Sequence, residues 1–245
     1  MKRRWLAPLV SVVLLLNRFF HGRTLMADGF VSGIDVSSNQ GPVNWNAVSQ
    51  SGVVFAFSRA TIGGHQTDSQ FAANWSGMRN AGIIRGAYHY FWPLTPWQDQ
   101  VNNFTTAVPS LQPADLSPAL DLEEAFLKTD PNHDVWNDIP FDQRLPMIQS
   151  WLDKVEQALG MKPIIYTRQN FIANLLGNGV PQIANSLLWI AHYGVSQPSV
   201  PDVWNSWAFW QYTDSGKLEG IDGKVDLDYF NGSANDLQAI TVGSR

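Results

Sequence analysis

The chain of 245 residues is 44% hydrophobic and 15% charged, ordinary for a globular protein and long enough for one large domain with its own core. It has no cysteine, which excludes disulfides and thiolate metal sites as the means of holding it together. Five of its 16 Lys and Arg residues precede residue 28 with no acid among them; the rest carries 11 basic against 21 acidic side chains, too negative for sequence-independent nucleic-acid binding.

Residues 1–27 read as a leader outside the fold. Met1-Lys2-Arg3-Arg4 is a basic start, and Trp5 to Leu16 is an apolar run of 12 residues, short of the ~20 needed to span a bilayer as a helix. Two readings stand side by side. The run is the core of an export signal or anchor, although Leu25 is a poor small-residue match before Ala27; or Met26 is the true start and the preceding residues are a mis-assigned extension. Any membrane contact is expected through this leader alone. Residues 28–235 are expected to form one catalytic barrel, and 236–245 a C-terminal tail.

From Phe30 onward, short apolar strands alternate with longer helical stretches. Predicted strands cover Phe30–Asp35, Val53–Arg59, Ile83–Phe91, Ser117–Glu124, Pro163–Thr167, Leu187–Tyr193, Trp207–Tyr212 and Val225–Phe230. Predicted helices cover Trp45–Ser51, Asp68–Ala81, Asp99–Val108, Phe141–Leu159 and Asn170–Leu176. In the fourth of these, Leu145, Ile148, Leu152, Val155 and Leu159 form one stripe that Gly160 stops. Strands alternating with helices indicate a parallel sheet, and eight of them a closed α/β barrel of the TIM-like (β/α) kind. Beyond the sixth strand, prolines and glycines replace helical signals. The barrel is therefore expected to be irregular, its last strands lacking helices and open to antiparallel pairing.

The stretch Leu120-Asp121-Leu122-Glu123-Glu124 carries the chemistry. Along a strand, Asp121 and Glu123 point the same way, roughly 6.5–7 Å apart at Cα, near the separations used in glycoside hydrolysis. Like charges so close raise at least one pKa and let one acid stay protonated near neutral pH. If the strand persists, Glu124 points away. Functional groups of such barrels gather where the strands end, and there Asp35 and Asp226 add two more acids. Tyr88, His89, Tyr90, Tyr166, Tyr193, Trp210 and Tyr212 are the candidate rings for stacking on sugar faces. Arg59 either holds a carboxylate or anchors the barrel. No closely spaced ligand cluster supports a metal, and no cofactor is expected.

These segments also resemble a family. Gly33-Ile34-Asp35-Val36-Ser37-Ser38-Asn39-Gln40-Gly41 with Trp45 is similar to the opening of glycoside hydrolase family 25, the Chalaropsis-type lysozymes. Ser58-Arg59-Ala60-Thr61-Ile62-Gly63, Gly86-Ala87-Tyr88-His89-Tyr90-Phe91, Leu120-Asp121-Leu122-Glu123, Ile165-Tyr166-Thr167, Leu188-Trp189-Ile190-Ala191-His192-Tyr193, Trp210-Gln211-Tyr212 and Val225-Asp226-Leu227-Asp228-Tyr229-Phe230 continue it in order. The resemblance implies a peptidoglycan hydrolase that cuts the β-1,4 bond between N-acetylmuramic acid and N-acetylglucosamine, acting as a monomer on glycan strands of the cell wall. It places the protein outside the cell, or in the cytoplasm until release if it is a phage endolysin starting at Met26. Carried over by position, Glu123 is the general acid and Asp121 its partner, with Asp35 and Asp226 completing the cluster. Whether Asp121 attacks the sugar or orients the substrate's acetamido group stays open. A chitinase-like glycosidase and a catalytically silent wall-binding barrel are the alternatives.

Overall fold

The computed structural model describes residues 29–177 and 182–244; the expected leader lies outside the described residues. Eight strands close a barrel: β1 (Val31–Val36), β2 (Phe55–Ile62), β3 (Ile84–Tyr90), β4 (Ala119–Leu122), β5 (Ile164–Arg168), β6 (Leu188–Ala191), β7 (Phe209–Gly216) and β8 (Val225–Phe230). Neighbours from β1 to β7 pair in parallel, while β8 runs antiparallel to both β7 and β1 and shuts the ring. The reversal expected near the end of the chain is thus confined to β8.

Helices α1 (Trp45–Gln50), α2 (Phe71–Asn80), α3 (Trp97–Ala107), α4 (Phe141–Leu159) and α5 (Phe171–Leu176) fill the crossovers between β1 and β6. Asn44 caps α1 by accepting from the Ala47 N–H at 3.3 Å, so a neutral amide serves there. α4 spans the predicted residues and stops at Gly160, whose φ of 73° is the left-handed conformation that favours glycine. Among the described residues, no helix is long and apolar enough to cross a membrane.

Strand alternation sorts the core into an inner and an outer layer. Inside the barrel, Phe55, Phe57, Trp189, Phe209 and Phe230 interlock; Phe57 stacks on Trp189 with ring centres 4.4 Å apart. Two glycines make room for this packing. A Cβ on Gly33 would lie 2.2 Å from the Phe55 ring, and one on Gly86 2.3 Å from Phe57. Outside, Leu120, Leu122, Ile148, Trp151 and Val155 pack between the strands and α4.

The C-terminal residues close the base of the barrel rather than trail from it. The boundary expected at residue 235 falls inside α6 (Ala234–Ala239), whose Leu237 is fully buried in the inner layer. Beyond it, the Val242 N–H donates to the Asp115 carbonyl at 2.9 Å and the Ala114 N–H to the Val242 carbonyl at 3.0 Å. A sequence pattern of one buried leucine in a short helix carries too little periodicity to announce this role.

Candidate active site

At the mouth of the barrel, the strand ends enclose a cavity of about 230 Å³. β4 delivers Asp121 into it, because Leu120 and Leu122 face the outer layer. The strand stops at Leu122, and the next two carbonyls are pinned: Trp136 Nε1 donates to the Glu123 carbonyl at 3.0 Å, and the Tyr90 hydroxyl to that of Glu124 at 2.9 Å. With extended geometry lost, Glu124 does not point away as a continued strand would require. Both glutamates reach Arg168, Glu123 at 3.3 Å and Glu124 at 3.6 Å.

Asp35, at the end of β1, faces Asp226 across the antiparallel β1–β8 pair. Asp226 sits at the beginning of its strand, not at its end. The reversal of β8 carries that beginning to the same rim where the parallel strands finish. Asp35 Oδ2 accepts from Gln211 Nε2 at 2.6 Å. The Gln211 carbonyl oxygen in turn accepts from the Tyr166 hydroxyl at 2.9 Å and from that of Tyr193. Two donors on the oxygen fix the amide so that its NH₂ must face Asp35. Two residues along the same strand, Asp228 is buried and accepts from Trp189 Nε1 at 2.8 Å.

Burial governs the proton affinities. It pushes Asp35 well above the usual carboxylate range, with Asp226 and Asp228 adding repulsion. Asp121 is raised by burial and then by Glu123. Glu123 is raised by burial, against the opposing pull of Arg168. Asp226 is raised to about 6 by burial and by Asp214. Asp121 Oδ1 is buried and has no hydrogen-bond partner, and the residue lines the cavity. Among the described residues, no group of three or more His, Cys, Asp or Glu is arranged to hold a metal ion.

Of the predicted site residues, Asp35, Asp121, Glu123, Asp226, Tyr88, Tyr90, Tyr166, Tyr193 and Arg59 line the cavity. Arg59 also anchors its wall. Its Nε and Nη2 both lie 2.9 Å from Asp68 Oδ2, and Nη2 donates to Ser38 Oγ.

Three predicted binding residues lie elsewhere. His89 is fully buried on the outer face, because strand alternation turns it away from Tyr88 and Tyr90. It lies 2.7 Å from Thr61 Oγ1 and 2.9 Å from Gln100 Oε1, and stacks on Trp151; burial lowers its pKa to about 4, so the ring is neutral. Trp210 packs in the outer layer against Trp207, donating to the His192 carbonyl at 2.8 Å, and Tyr212 stacks on Tyr229 at 4.3 Å. Between those two rings stands Gln211, which the sequence reading passed over. The strand's period of two was the signal that could have found it, since Phe209 and Gln211 share the inner face. The same rule, extended one residue past Thr167, would have put Arg168 beside Tyr166. Ser37, Asn39, Trp189 and Asp214 complete the unanticipated lining.

The profile of Glycosyl hydrolases family 25 matches residues 34–221. The chain belongs to this family. Within family 25, Lysozyme M1 of Streptomyces globisporus is 35% identical over 213 residues, covering 86% of this chain and 71% of the relative. The crystal structure of the bacterial lysozyme from Streptomyces coelicolor superposes with a TM-score of 0.80 at 33% identity, covering 88% of this chain and 98% of that one. A muramidase from Acremonium alcalophilum gives a TM-score of 0.77 at 28% identity, over 86% of this chain and 98% of its own. The family 25 barrel makes the protein a glycoside hydrolase.

Proposed function

We propose that this family 25 enzyme hydrolyses peptidoglycan at the β-1,4 bond between N-acetylmuramic acid and N-acetylglucosamine, with Glu123 as general acid and Asp121 as its partner. The observation that carries the reading is the pair itself. Asp121 and Glu123 leave one strand end into one cavity, both with raised proton affinity, in a fold shared with lysozymes. Glu123 gives its proton to the glycosidic oxygen as the bond to the leaving sugar breaks. Asp121, which lines the cavity, accepts the N–H of the substrate's 2-acetamido group, and the acetamido oxygen attacks the anomeric carbon. Water then opens that cyclic intermediate while Glu123 takes back a proton, so configuration is retained. Carboxylates leaving one strand end together favour this assisted route over direct attack, which wants them on opposite faces of the sugar ring. Asp35 and Asp226 add negative potential where the oxocarbenium-like charge develops. Tyr88, Tyr90, Tyr166 and Tyr193 supply ring and hydroxyl contacts to the glycan.

The protein acts as a monomer on wall glycan, outside the cytoplasmic membrane, reaching it through its leader or by release from the cytoplasm if translation begins at Met26. Digestion of purified peptidoglycan, borohydride reduction and mass spectrometry of the products tests the bond assignment. Reduced muramic acid ends are expected; reduced glucosamine ends would overturn it. Glu123→Gln should lower the rate by about 10²–10⁴-fold while the protein still pellets with the wall. A variant keeping more than about a tenth of the rate would remove Glu123 as the acid.

A further inference from the structure

Arg168 ends β5 two residues past Tyr166, and its guanidinium stands between two carboxylates of the mouth. Nη2 lies 3.3 Å from Glu123 Oε2 and Nη1 3.6 Å from Glu124 Oε2. Both distances exceed the roughly 2.7–2.9 Å of a committed charge-assisted hydrogen bond, so the cation is divided between two partners. Its side chain is also half exposed, whereas Arg59 is held fast by Asp68 and Ser38. The early end of β4 makes this sharing possible, since consecutive residues of a strand could not both reach one cation on one side.

Several other groups face Glu123: Asp121 before it on its own segment, Asp226 from β8, Arg59 from β2, Tyr90 from β3 and Tyr166 from β5. Asp121 and Tyr166 are buried, Arg59 and Tyr90 are held by hydrogen bonds, and Asp226 is part-buried on β8. Arg168 and Glu124 are the adjustable pair. We propose that Arg168 is a positioning residue that sets the pH at which the catalytic acid gives up its proton, with Glu124 as the competing anchor that holds the guanidinium partly off Glu123. The proposal rests on the reading of Glu123 as the acid. Substrate must place its glycosidic oxygen at the carboxyl group Arg168 now faces, and Glu124 gives the guanidinium somewhere to go. The signs of the two contributions are opposite. The Arg168 cation favours ionised Glu123, and the Glu124 anion disfavours it.

Measuring kcat/KM against pH for Arg168→Gln, Arg168→Lys and Glu124→Gln tests this, because activity falls as the acid ionises. Arg168→Gln should move the alkaline limb up by about one pH unit. Glu124→Gln should move it down, as repulsion is lost and Arg168 turns wholly to Glu123. Arg168→Lys, which keeps the charge, should restore a limb close to that of the wild type. Both displacements should shrink in high salt, since the pair is half exposed. Unmoved limbs, or displacement of both in one direction, would overturn the proposal. Glu123→Gln measured alongside separates the two readings. If it stays active, the acid is misassigned; if it is dead while the limbs stand still, only the role of Arg168 falls.

Discussion

At the base of the barrel, Arg85 is buried against Asp115 with every group matched. Nε and Nη2 bind the two carboxylate oxygens at 2.7 and 3.1 Å, Nη1 donates to the Trp75 carbonyl at 2.7 Å, and the Gln112 N–H donates to Asp115 at 2.8 Å. The guanidinium also lies 3.8 Å over the Trp75 ring. At the mouth, by contrast, Asp35, Asp121, Asp226 and Asp228 outnumber the cations near them, and Asp121 keeps a buried oxygen without a partner. The same residue types thus serve two ends: satisfied charge at the base holds the barrel shut, and unsatisfied charge at the mouth waits for substrate.

Breaking the base should cost stability and spare chemistry. Asp115→Asn leaves Arg85 buried without its counter-charge, and a loss of about 3–5 kcal/mol in urea unfolding is expected, with kcat of the folded fraction unchanged. A loss below about 1 kcal/mol would show that the pair contributes little. Leu237→Ala opens a cavity under the inner layer, for an expected loss of about 2–5 kcal/mol and again an intact kcat. Were the last residues a dispensable tail, that substitution would leave unfolding unaltered.

Relaxing the mouth should do the reverse. The pKa of Asp226 rises to about 6 on folding, so its contribution favours the folded state below about pH 4 and is lost as pH climbs through 6. Asp226→Asn removes that loss. It should gain about 1 kcal/mol at pH 7.5 after allowance for solvent screening, gain nothing at pH 4, and lower activity. A variant less stable than wild type at pH 7.5 would contradict the contrast between the two ends.

Much of this was legible in the sequence. Alternating strands and helices gave the barrel, and the acids at the ends of β1 and β4 gave its mouth, because periodicity and strand-end chemistry are local properties. The errors arose where a local pattern was read one step short. Aromatic content nominated Trp210 and Tyr212 although alternation turns both outward and aims Gln211 inward. His89 carried the same error on β3. Asp226 was placed on the right rim for the wrong reason, since only the reversal of β8 brings a strand's beginning there. The place of Arg168 beside Tyr166 was within reach of the same rule, but its sharing between Glu123 and Glu124 was not, because that depends on where β4 stops, which is decided by carbonyls pinned from Trp136 and Tyr90.

The aromatic filling that Gly33 and Gly86 admit has a further result. Phe57, Trp189 and Phe209 shut the barrel directly beneath the carboxylates, and Leu237 stops it from below. No polymer can thread through such a plug, so a glycan strand must enter and leave by the same opening.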